Sequence, residues 1–324
     1  MRRSLGLTLL LLGLSACNGT TVDGAGASGT TGTGAMGTGE TWTTTTGGVS
    51  TSGNTVTLTM ASFTVPAGSE VYYCQTYANP FGGMDVNIQE FESHMATGSH
   101  HLLLFYEPGV TADGPLVSCS GLEFAPTPYA SQTTDDSQTF PPGVAALIPG
   151  SNGLQIQSHY LNTTMSPIEA HVEVVFHIAE PGTVQYQAGV MFLIDSKIKI
   201  PPESSAVVSD ACTLPQDMNI LRAASHMHQH GTDFVASLAG TQLYQTTTWT
   251  EPAPKYYTPA VVGHTGDPID FSCSFTNNTA STITFGESAL TDEMCIFIAS
   301  FYPAPPGQAT IGANGCTATQ VAGM

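Results

Sequence analysis

Along this chain, β-branched and aromatic residues gather in short runs at 55–65, 70–76, 101–106, 154–161, 171–178, 234–238, 269–275 and 294–302, separated by clusters of Gly, Pro and Asn. Runs of this kind bounded by turn-forming residues predict strands. No stretch carries the long apolar stripe of an amphipathic helix. Short strands at this spacing predict an all-β protein built as two tandem antiparallel β-sandwiches of the jelly-roll kind, 55–181 and 182–324, with the boundary at the turn Glu180, Pro181, Gly182, Thr183. No internal repeat is evident in the residues themselves.

The pattern is different before residue 55. Met1, Arg2 and Arg3 precede a largely apolar run, 5–14, that is too short to span a bilayer, and then come Leu14, Ser15, Ala16 and Cys17. This resembles a bacterial lipoprotein signal peptide, in which the cysteine becomes the lipidated first residue. Cys17 is read accordingly as an acyl anchor, with a cleaved secretory signal as the alternative. Segment 18–54 is almost wholly Gly, Thr, Ser and Ala, with too little apolar surface to offset chain entropy, and predicts a flexible tether. No later run approaches the ~18 apolar residues of a membrane helix. The expectation is an exported bacterial lipoprotein of the outer membrane or cell surface that meets the membrane through its lipid anchor only.

Charge and cysteine content narrow the partners. The chain has 25 acidic against 6 basic residues, a formal charge of −19, which excludes nucleic acid as a natural partner. Setting Cys17 aside leaves Cys74, Cys119, Cys212, Cys273, Cys295 and Cys316, an even set that predicts three disulfides in an oxidising compartment. Spacing makes Cys74 with Cys119 the natural bridge of the first half if the halves are separate domains.

The candidate chemistry lies in the histidines. His226, His228 and His230 alternate, so an extended segment presents all three imidazoles to one side. His100 and His101 are adjacent and would point to opposite faces of a regular strand; both serve one metal only if the strand is just starting or is bulged there, and Gly98 and Ser99 supply an irregular entry. His159 stands in a strand-like stretch and offers a further imidazole. Met294, beside Cys295, adds a thioether, and sulfur with imidazole favours Cu(I) over zinc or magnesium. Copper is the inferred metal.

Taken in order, these motifs resemble the copper type II ascorbate-dependent monooxygenases, the family of dopamine β-monooxygenase and peptidylglycine α-hydroxylating monooxygenase. The matching elements are His100-His101 before Leu102-Leu103-Leu104-Phe105, then Gln157-Ser158-His159-Tyr160, then His226-Met227-His228, then Glu293-Met294-Cys295. Tyr72-Tyr73-Cys74, Cys273-Ser274-Phe275-Thr276-Asn277 and Phe285-Gly286 agree as well. The resemblance implies two coppers per chain. One, storing an electron, would be held by His100, His101 and His159; the other, where dioxygen reacts, by His226, His228 and Met294, on two domains facing each other across a cleft. It implies the bridges Cys74–Cys119, Cys212–Cys316 and Cys273–Cys295. It also implies hydroxylation of a C–H bond of an organic substrate, small molecule or peptide, using dioxygen and ascorbate or another one-electron reductant. Gln157 matches a family glutamine.

Departures from the pattern bear on substrate. Where the peptide-amidating enzyme has an Arg, an Asn and a Tyr that hold a terminal carboxylate, this chain has Ala224, Ile296 and Ile298. The clamp is absent and a more apolar pocket is expected. Arg222 shares strand parity with His226 and either reaches inward or lies on an exposed face. His230 extends the histidine stripe beyond the family pattern and reads best as a solvated residue, with a supporting or competing ligand as the alternatives. His94, His171, His177 and His264 have no motif support. A different class of function, a copper-binding lipoprotein that stores or delivers metal without turnover, uses the same residues; ready release of Cu(I) would distinguish it.

Overall fold

The computed structural model describes residues 45–312 apart from 124, 306, 308 and 309, and among these every regular element is a strand. The predicted signal, Cys17, residues 18–44 of the tether and Cys316 lie outside the described residues. All-β architecture follows from the sequence pattern, because strands such as Thr55–Ala61 and Pro268–Asn277 alternate buried and part-exposed positions along their length.

In the N-terminal half, strands Thr46–Ser52, Thr55–Ala61, Val172–Ile178, Val86–Met95 and Val144–Ile148 lie side by side. A second sheet of Val117–Ser118, Glu70–Tyr77, Asn152–Leu161, Ser99–Pro108 and Tyr129–Ser131 belongs to the same half. Their shared core includes Leu58, Phe91, Leu104, Ile156, Val174 and Phe176. In the C-terminal half, Tyr186–Ile194, Ile296–Tyr302, Met218–His226 and Lys255–Gly263 share a core with Ser204–Thr213, Pro268–Asn277, Gly231–Leu238 and Thr241–Thr246. Phe234, Phe271, Phe297 and Phe301 fill that core.

One strand joins the halves. Tyr186 to Ala188 pair in parallel with Val144 to Ala146, whereas Gly189 to Ile194 pair antiparallel with Ile296 to Phe301, so a single sheet runs from one half into the other.

Two details depart from the sequence pattern. The run 55–65 is not one strand: it breaks at Ser62 into Thr55–Ala61 and Phe63–Val65, which pair with different partners. Thr46–Ser52 is an edge strand inside the segment whose composition predicts a tether. Backbone pairing to Thr55–Ala61 needs no apolar side chains, so composition does not reveal it.

The halves also share a turn. Asn162, at the end of Asn152–Leu161, donates from Nδ2 to Val65 O, Pro66 O and Ser166 O, and its Oδ1 accepts from Thr164. Asn277 does the same with Ile200 O, Pro201 O, Ser281 O and Thr279. Both asparagines are buried, so these Asn-x-Thr sequences are structural turns with no room for a glycan. The repeat absent from the residue pattern is present in the hydrogen bonding.

Candidate metal centre

His101 and His159 are direct cross-strand partners in the ladder between Ser99–Pro108 and Asn152–Leu161. The register then slips, with Tyr160 opposite Ser99, which makes His100 the extra residue of a bulge. That irregularity is the one the adjacent histidines require, and it lets both face inward. Gly98, at φ +97°, delivers the chain into the bulge. His159 is fixed from two sides: Tyr72 stacks on its ring at 3.8 Å, and Glu70 Oε1 lies 2.7 Å from Nε2.

The second set is built differently. Strand Met218–His226 ends at His226, and a turn follows at 229–230. His226 and His228 converge, their Nε2 atoms 3.2 Å apart, while the turn removes His230 from the stripe and leaves it half-buried. The expected three-imidazole stripe is therefore a pair, because the extended backbone it needs stops at His226. Met294 precedes strand Ile296–Tyr302 rather than lying within it, and it is buried.

Glu293 organises this region. Its carboxylate, fully buried, accepts from the backbone N–H of His228 at 3.0 Å, His230 at 2.6 Å and Met294 at 3.2 Å. Burial pushes its pKa up to about 7, against the lowering effect of those three donors. The Cys273–Cys295 disulfide ties the adjoining residue to the neighbouring sheet, and Cys74–Cys119 braces the strand of Glu70 and Tyr72. The remaining expected bridge, Cys212 with Cys316, reaches outside the described residues.

All five histidines are buried, none more than 7% exposed. Burial, followed by mutual repulsion, pushes His100, His101, His159 and His226 well below the ordinary imidazole pKa, and burial brings His228 down to about 4. The imidazoles are neutral at physiological pH, the state that ligates metal.

The donor geometry fits a first-row ion. His159 has Nε2 on Glu70, His226 has Nδ1 on Gln132 Oε1 at 2.6 Å, and His228 has Nδ1 on Asp292 O at 3.2 Å. Anchoring the other ring nitrogen in this way is what orients a ligating histidine. His100 Nε2, His101 Nδ1 and His159 Nδ1 are buried without any hydrogen-bond partner. Two nitrogens about 2.0 Å from one tetrahedral ion stand about 3.3 Å apart, close to the observed His226–His228 separation.

Met294 and His226 line an apolar cavity of about 50 Å³ with Leu103, Phe105, Phe192 and Ile298. Ile296 lines it too, as the sequence departures predict, and Glu123 is its one charged wall residue. Arg222 does not reach this cavity: it is buried against Asp136, with Nη2 3.0 Å from Oδ2, and its guanidinium lies over the Tyr256 ring. Of the two alternatives the structure shows the inward one, with the guanidinium held by Asp136 and Ala130 O rather than lining this cavity. Gln157 is buried and donates to Ser120 O at 2.9 Å. Sequence reasoning missed Glu70, Gln132 and Trp249, whose ring meets His100 edge-on at 5.6 Å. Only the Glu of Glu293-Met294-Cys295 carried a signal, and it was read as motif rather than support.

Fold and donor set define an all-β protein with a buried, nitrogen-rich cluster whose side chains could hold a metal ion. Residues 186–319 match the family model of the copper type II ascorbate-dependent monooxygenase C-terminal domain, which is what this part of the chain is similar to. No curated protein matches. A solved structure of oxalate decarboxylase aligns at 9% identity over 72% of this chain and 71% of that chain, with a TM-score of 0.16, too low to relate the folds.

Proposed function

We propose that this chain is a copper monooxygenase that hydroxylates a C–H bond of an organic substrate with dioxygen and an external one-electron reductant such as ascorbate. The observation that carries the reading is the pair of buried Nε2 atoms of His226 and His228, 3.2 Å apart beside Met294, inside the segment that matches the family. His226, His228 and Met294 would hold one copper, and His100, His101 and His159 the other. Bound copper would supply one-electron chemistry and dioxygen activation.

The chain's own residues do the rest. Gln132 accepts from His226 Nδ1 and so directs the Nε2 lone pair into the site. Glu293 ties the loop of His228 to the loop of Met294. The apolar cavity keeps water from the reacting group, and its lack of a cationic wall residue offers nothing to a substrate carboxylate, which argues against peptide amidation. The lipid anchor at Cys17 and an exported location rest on the sequence pattern alone and complete the proposal.

The test is copper stoichiometry of the reconstituted chain, with X-ray absorption of the reduced form and a screen for reductant-dependent hydroxylation. Two coppers, one with a Cu–S contribution that disappears in Met294→Leu together with activity, support the proposal. A sulfur signal that survives the substitution removes Met294 from the site. Rapid transfer of Cu(I) to a competing chelator without turnover would establish storage or delivery instead; burial of all five imidazoles favours retention.

A further inference from the structure

We infer that Glu90, Glu92 and His177, on the outer face of the N-terminal half, form a surface site for one divalent cation of the zinc class, with His94 beside them. The site belongs to the other sheet of this half from the one that carries His100, His101 and His159, and it does not depend on what those residues hold.

Strand Val86–Met95 is flanked by Val172–Ile178 on one side and by Asp135–Thr139 on the other. Phe91, Ser93 and Met95 of the central strand are buried, so Glu90, Glu92 and His94 point outward. Register sets their neighbours: Glu90 stands between His177 and Thr139, Glu92 between Val175 and Ser137, and His94 between Glu173 and Asp135. Cross-strand pairing thus gathers carboxylates and imidazoles into one patch.

Donor atoms of Glu90, Glu92 and His177 lie within 4.8 Å of one another, and all three residues are half-buried. His177 Nε2 is closed off from solvent and has no hydrogen-bond partner, although Glu92 Oε1 stands 3.1 Å away. That spacing is close to the ~3.3 Å between two ligands of one tetrahedral ion. Glu90 Oε1 accepts from Ser137 Oγ at 2.6 Å and Thr139 Oγ1 at 2.8 Å, which fixes the carboxylate as outer partners fix a ligand. His94 is anchored at Nδ1 by Asp135 Oδ1, 2.7 Å away, and its Nε2 lies 3.8 Å from Glu92 Oε2. Charge argues against a merely solvated face, because residues 55–181 include no Lys or Arg to neutralise these carboxylates. Carboxylates joined by imidazole suit a borderline divalent ion such as zinc better than calcium or magnesium, which take oxygen ligands. An ion here would tie Val86–Met95 to Val172–Ile178 and stabilise the folded chain by mass action.

The experiment titrates the whole chain with Zn(II) alone, by equilibrium dialysis for stoichiometry and by thermal unfolding for Tm. The comparison is with the double variant Glu90→Gln, His177→Gln and with a control, His264→Gln, which alters an exposed histidine beside Asp217. The double variant should bind one zinc fewer per chain than the unaltered protein, whatever the buried histidines take up, and its Tm should rise less with zinc. The control should change neither. The single variant His94→Gln should weaken the same zinc by about 10–100-fold. Equal stoichiometry in the double variant overturns the site, as does an equal loss in the control, and unchanged affinity in His94→Gln overturns the arrangement around Glu92. A site that fills only at millimolar zinc is adventitious and overturns the inference as well.

Discussion

In the N-terminal half His101 and His159 sit opposite each other in a hydrogen-bonded ladder, and one bulge brings His100 alongside. In the C-terminal half only His226 belongs to a strand, while His228 and Met294 occupy loops. The first set is positioned by register, which the sheet enforces over many backbone bonds. The second is positioned by one buried carboxylate and one disulfide. The halves share the Asn162 and Asn277 turns, and they differ in how the ligands are held. A ladder tolerates loss of any one side chain; a staple concentrates the same task in Glu293.

Glu293→Ala is therefore expected to have the largest effect. It leaves the buried N–H groups of His228 and Met294 and the part-buried N–H of His230 without an acceptor, at about 1–3 kcal/mol for each buried group. Loss of roughly 4–5 kcal/mol in chemical denaturation is expected. The Cu–S signal should vanish while copper on the first set persists. Equal loss from both sets would erase the contrast between ladder and staple.

The shared turn sharpens the same comparison at smaller scale. Asn162→Ala and Asn277→Ala each strand two prolyl-turn carbonyls and one serine carbonyl, and each should destabilise by about 2–3 kcal/mol. Near-equal shifts in denaturation midpoint would confirm that the halves are built alike; a large inequality would break the equivalence.

Strand content, the bulge at His100 and the apolar replacement of the carboxylate clamp were all legible in the residues. Each is local: alternation marks strands, adjacent histidines demand an irregularity, and Ile296 and Ile298 keep their character wherever they fold. The supports were not legible. Glu70 reaches His159 across 89 positions and Gln132 reaches His226 across 94, and neither residue type announces such a partner. The end of the 226–230 stripe was hidden as well, because the turn at 229–230 is set by Glu293 from 63 positions away. Contact between the two histidine sets depends on how the halves meet, which periodicity within either half does not encode.

Glu70→Gln probes the ladder side alone. The charged acceptor on His159 Nε2 is replaced by a neutral one, and the bonds to Ser288 and Ala289 are weakened. Loss of a supporting carboxylate typically lowers metal affinity about 10–100-fold. Competition with a chelator should show that loss for the copper without sulfur ligation, and little change in the Cu–S site. If both coppers weaken together, Glu70 acts through its bonds to Ser288 and Ala289 as well as on His159.

Gly98→Ala should give the smallest of these effects. At φ +97° an alanine is strained, and its Cβ would crowd Ile168 Cδ1, the far end of a flexible side chain that can shift. Backbone strain then dominates, at about 1–2 kcal/mol, seen as a modest fall in Tm. The functional consequence should exceed the stability change, because relaxing this entry pulls on the bulge and turns His100 away from its neighbours. His100 belongs with His101 and His159, so copper binding without sulfur should weaken, while the Cu–S contribution at Met294 survives. Unchanged copper affinity at a lowered Tm would mean that the bulge is set by the cross-strand pair His101 and His159 alone, and that Gly98 merely accommodates it.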